Sequence, residues 1–165
     1  MLARALRWLG LALVLSLAVA YAVINFSGHA VERWHVDPAT VADASDAPNE
    51  FLAARPGTTA AEPDMETQVH EETPNDLIAR FDAIVRDQPR TEVVAGDVDS
   101  LMITYVQRSK YVGFPDYITV KAVPAEEGAS LIVWSRSRYG RDDFGVNEAR
   151  VKAWLSELND DREGA

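Results

Sequence analysis

The feature that most constrains this chain is an apolar run from Trp8 to Phe26, nineteen residues in which only Gly10, Ser16 and Asn25 interrupt Ala, Leu, Val and Ile. As a helix rising about 1.5 Å per residue it spans roughly 28 Å, close to the ~30 Å hydrocarbon core of a bilayer. One membrane crossing is the expectation. Arg4 and Arg7 in the basic N-terminus, residues 1–7, precede the run, and a self-cancelling Glu32–Arg33 pair follows it. The positive-inside rule then places the C-terminal bulk of a single-pass chain outside the cytoplasm, in the periplasm if the cell is bacterial. Trp8 and Trp34 are expected at the two interfaces. A secreted or periplasmic product cleaved near Ala20 is the alternative, since Ala18-Val19-Ala20 fits a small-residue cleavage site. Against it, Tyr21-Ala22-Val23-Ile24 keeps the run apolar beyond that point.

Charge divides unevenly along the chain. Its net value is −10, yet residues 37–74 hold nine acids against Arg55 alone, while residues 75–158 hold 13 acids and 11 bases. Acidity therefore describes the middle segment. That segment also carries Pro38, Pro48, Pro56, Pro63 and Pro74 with no apolar period, so residues 27–73 read as an extended, self-repelling tether. Phe51-Leu52 is the exception, able to dock on the domain as a short arm. No broad basic stripe exists to neutralise a phosphate backbone, which excludes nucleic acid as a partner.

Residues 74–158 read as the folded domain. Thr73 caps and Pro74 opens a helix whose Leu77, Ile78, Phe81, Ile84 and Val85 form one apolar stripe, ended by Pro89. Strand-like segments follow near 91–95, 100–109, 117–123 and 130–139, joined by short connections that favour an antiparallel meander. Leu131-Ile132-Val133-Trp134 is apolar on both faces. A closing helix from about Phe144 to Leu158 presents Val151, Trp154, Leu155 and Leu158 on one side, and residues 159–165 form an acidic tail. The expected fold class is α+β: a small antiparallel sheet of about four strands, two helices on one face, the other face open, all preceded by the single transmembrane or signal helix.

The unusual polar chemistry lies in Trp134–Asn147. In a strand, Ser135 and Ser137 point to one face and Arg136 and Arg138 to the other. Arg136, Arg138 and Arg141 precede a helix start, and Arg108 with Lys110 can reach the same edge. They are candidates to grip an anionic small ligand with guanidinium forks. Asp116, Asp142 and Asp143 are available instead to neutralise these arginines internally, or to cap the turn. Asn147 falls on the Val151–Trp154 side, as a buried amide or a ligand contact.

These residues also resemble a known family. Tyr105-Val106-Gln107-Arg108-Ser109-Lys110, Gly113-Phe114-Pro115-Asp116 and Ser135 through Asn147, followed by Arg150, look like the signature blocks of the domain-of-unknown-function family 1499, over roughly residues 74–158. The chain departs from the pattern at Tyr117, where a second acid is expected, and lacks a Cys-containing upstream stretch. The resemblance implies a small exported or membrane-tethered domain with no established activity, and points to no particular reaction.

With no cysteine there is no disulfide, thiol nucleophile or Cys-ligated metal. His29, His35 and His70 all precede the domain, so no histidine there can serve a Ser–His hydrolase, and none has zinc-site spacing. No metal or cofactor is expected. Three functions remain: a non-catalytic module binding an anionic ligand or envelope protein through Arg108, Asp116, Arg136, Arg138, Arg141, Asp143 and Asn147; a structural accessory with an internal Arg network and a partner on the open sheet face; or a small hydrolase-like enzyme using Asp116, Asp142 or Asp143.

Overall fold

A computed structural model describes residues 1–40 and 48–163; Asp43 and Asp46 of the acidic middle lie outside them. The apolar run forms helix α1 (Leu2–Phe26), which packs on little of the protein and is long and apolar enough to cross a membrane. After it come a single turn, α2 (Val31–Trp34), and two short strands, β1 (Glu50–Ala53) and β2 (Val69–His70).

Helix α3 (Pro74–Asp87) starts as its sequence dictates. Thr73 Oγ1 accepts from the Asp76 backbone N–H at 3.2 Å, and all five residues of the apolar stripe are buried. Strands β3 (Thr91–Asp97), β4 (Met102–Arg108), β5 (Pro115–Ala125) and β6 (Gly128–Ser137) form the expected antiparallel meander. Helix α4 (Val146–Glu163) closes the chain and runs past Leu158 into the expected tail.

The sheet has six strands, in the order β1-β6-β5-β4-β3 with β2 also on β6, rather than about four. Both additional strands come from the segment read as a tether. Phe51 pairs opposite Ser135 and Leu52 opposite Trp134, and Leu52, Ala53 and Ala54 are wholly buried. Strand alternation sends Phe51 into the core beneath α3 and α4, with Ile103, Tyr105, Ile118, Val120, Leu131 and Val133. Leu52 goes to the opposite face with Ala61, Ile132 and Trp134.

That second face is covered as well, which corrects the expectation of an open one. Trp34 lies on it, stacked on Tyr117 with ring centroids 3.9 Å apart, and packs with Val106. His35 Nδ1 meets Thr104 Oγ1 at 2.9 Å, and Asp37 pairs with Lys121. Trp34 is thus a buried core residue and not an interfacial anchor. Two covered faces also explain why β6 is apolar on both sides. A large ring removed from water stabilises by roughly 1.5–3 kcal/mol, enough to draw a Pro- and acid-rich segment onto the sheet wherever Trp34 and Leu52 supply the contact.

Candidate functional site

Alternation along β6 divides the predicted cluster between the two sheet faces. On the second face Arg136 is 4% exposed. Its Nη2 donates to the Trp34 carbonyl at 2.7 Å and to Thr119 Oγ1 at 2.8 Å, and its Cζ lies 3.6 Å from the Trp134 ring centroid. Burial pulls its pKa down to about 10, opposed by Glu50. Burial likewise raises the Glu50 carboxyl, against the Trp134 indole N–H and the Arg136 charge. Arg136 is committed to holding Trp34 in place.

The other predicted arginines do not join it in one grip. Arg108 Nη1 donates to the carbonyls of Ile24, at 3.3 Å, and Gly113, at 3.2 Å. Arg138 approaches Tyr117 Oη at 3.5 Å and its own neighbour Tyr139, and Arg141 is exposed. Neither the fork for an anion nor the expected pairing of these arginines with Asp116, Asp142 and Asp143 is assembled.

On the helix face, Asp116 and Asn147 do come together, around Arg150. This arginine donates to Asp116 Oδ2 at 2.7 Å, Gln107 Oε1 at 2.7 Å, Ser135 Oγ at 3.0 Å and Asn147 Oδ1 at 2.5 Å. Ser137 Oγ donates to Asp116 at 2.7 Å, and Asn147 Nδ2 donates to the Asn49 carbonyl at 2.9 Å. Asp143 caps α4, accepting from the N–H groups of Gly145 at 3.0 Å and Asn147 at 2.6 Å. Arg150, Gln107, Ser135 and Ser137 were not among the predicted site residues. The signal was present: Arg150 is one helical turn from Asn147 and shares its face.

Above this network lies an open cleft of about 400 Å³, between the β4–β5 turn and the β6–α4 turn. Phe114, Tyr139, Phe144 and Val146 wall it; Asp116 and Ser137 lie at its floor, with Asp142, Asp143 and Ser109 also lining it. No cation lines it. Phe144 is 92% exposed at a left-handed φ of 57°, a conformation that costs a non-glycine residue roughly 1–3 kcal/mol. Asp142 Oδ1 pins it by accepting its N–H at 2.7 Å.

The family model for proteins of unknown function, DUF1499, matches residues 40–158. The match begins well upstream of the boundary expected near residue 74 and takes in β1 and β2. A crystal structure of a Mesorhizobium loti protein aligns over 57% of this chain and 93% of its own at 12% identity, with a TM-score of 0.42. No curated protein matches the chain significantly.

Proposed function

The chain belongs to the DUF1499 family of proteins of unknown function, and we propose that it is a membrane-anchored, non-catalytic module whose cleft binds an apolar, ring-bearing ligand through hydrogen-bond donors or a cationic group. The lining of the cleft carries this reading. Aromatic walls bury a ring, and the charged groups among the described residues that line the cleft are the carboxylates of Asp116, Asp142 and Asp143, so the site suits a donor and repels an anion. This reverses the charge expected from the arginine-rich sequence: Arg136 is engaged on Trp34, Arg108 on α1 and the β4–β5 turn, and neither Arg138 nor Arg141 lines the cleft. Non-catalytic is the better reading because the buried carboxylate at the floor, Asp116, is already engaged by Arg150 and Ser137. Anchoring rests on α1, with the C-terminal domain outside the cytoplasm by the positive-inside rule.

Two probes with one ring and opposite charge test the site. Tryptamine and indole-3-acetate are titrated into the full chain in nanodiscs, read by backbone amide shifts. Tryptamine gives saturable shifts at Ser109, Phe114, Ser137 and Phe144 that Phe144→Ala abolishes, and indole-3-acetate binds more weakly. Tighter binding of the acetate overturns the reading.

A further inference from the structure

The end of the domain that carries the cleft lies close to the end of α1. Phe26 is the last residue of the helix, and three residues later His29 Nδ1 meets Tyr117 Oη at 2.8 Å. Three extended residues reach about 10 Å at most. Tyr117 is the third residue of β5, beside the loop that joins it to β4. The helix end also meets that loop directly. Asn25 Nδ2 donates to the Val112 carbonyl at 3.1 Å, Arg108 donates to the Ile24 carbonyl, and Gly113, at φ 82°, leaves room where a Cβ would lie 2.0 Å from Asn25 Oδ1. Any bilayer that takes up α1 therefore has the 109–114 turn near its surface, and the 138–146 turn lies beside that one, the Phe114 and Tyr139 ring centroids 5.9 Å apart.

After α1, and apart from Val31 and Val69, the exposed large apolar side chains of the described residues lie on those turns. Tyr111 is 85% exposed and Phe144 92%, with Val112, Phe114, Tyr139 and Val146 around them. Lys110 lies over Tyr111, its Nζ 5.4 Å from the ring centroid. Aromatic rings beside a long cationic side chain suit the boundary between headgroups and acyl chains.

We infer that this end of the domain docks on the lipid surface, with Tyr111 and Phe144 inserted at the headgroup boundary and the cleft opening toward the bilayer. The partner is the membrane that holds α1, so the inference rests on the anchor reading of that helix. It accounts for the exposure of Tyr111, which contributes to neither the core nor the cleft, and it makes the bilayer the side from which a ligand enters.

The chain has no cysteine, so single spin labels can be placed without background. Val14→Cys in α1, Tyr111→Cys, Phe144→Cys and Glu126→Cys in the β5–β6 turn at the far end are each labelled in the full chain in phosphatidylcholine–phosphatidylglycerol nanodiscs. Collision with oxygen, which enters lipid, is compared with collision with a water-soluble nickel chelate. Positions 14, 111 and 144 are expected to collide with nickel several-fold less than position 126. Lipid-like behaviour at 14 with nickel access at 111 or 144 equal to that at 126 overturns the docking and leaves the anchor standing. Nickel access at 14 itself removes the anchor, and the docking with it.

Discussion

The guanidinium of Arg136 lies 3.6 Å over the indole of Trp134 while its Nη2 donates to the carbonyl of Trp34, 102 positions earlier in the chain. A planar guanidinium lies flat on a ring while donating in its own plane, a geometry that a tetrahedral ammonium does not reproduce. Arg136→Lys is therefore expected to lower stability by about 1–2 kcal/mol although charge is kept. Urea unfolding of the domain, followed by tryptophan fluorescence, reads the change in midpoint.

The ion pair of Arg150 and Asp116 is largely buried, with side-chain exposures of 7% and 13%. Removing one partner leaves the other charge uncompensated, so Arg150→Ala costs about 3–5 kcal/mol. Restoring the balance with the double variant Arg150→Met, Asp116→Asn recovers part of that loss. A double-mutant cycle checks the coupling; strict additivity would mean that the network contributes nothing as a unit.

His29 sets a pH dependence at the junction with α1. Burial first, then Arg108, hold its pKa below the ordinary 6.5, with Arg138 acting the same way and Glu92 opposing. A base with a lowered folded-state pKa binds protons better when unfolded, so stability is full above 6.5 and falls as pH drops from 6.5 through the lowered value. Glu50, raised by burial, acts in the opposite sense over a window starting at its ordinary 4.5. The difference between wild type and His29→Gln isolates the histidine: the stability gap between them shrinks as pH is lowered from 7 to 5.

Phe144 separates binding from stability. At φ 57°, Phe144→Gly relieves left-handed strain and is expected to leave stability unchanged or raise it by about 1 kcal/mol. The same change removes a wall of the cleft and weakens tryptamine binding. A melting temperature and a titration on one variant read both effects.

Local signals were legible in the sequence where neighbours in the chain decide them. The cap at Thr73, the stripe from Leu77 to Val85 and the alternation of Ser135 and Ser137 against Arg136 and Arg138 all appear as read. Of Trp34, β1 and β2, only the docking of Phe51-Leu52 as an arm was legible; the rest depends on partners far along the chain. That arm finds its place as an edge strand on β6, and Trp34 looks like an interfacial ring until Tyr117 and Arg136 receive it. The arginines misled for the same reason. Their proximity in sequence suggested one site, whereas strand alternation turned Arg136 away from Asp116 and Asn147, and helix spacing brought in Arg150 instead.

The folded unit begins immediately after α1, with Trp34, β1 and β2 as integral parts of it. Urea unfolding of two fragments, 28–163 and 74–163, tests it most directly. The longer fragment is expected to unfold in one cooperative transition, and Trp34→Ala in it to cost about 3–5 kcal/mol. The shorter one, deprived of β1, β2 and the cover of its second face, is expected to show no such transition. Cooperative unfolding of fragment 74–163 at the same midpoint as 28–163 would contradict the account.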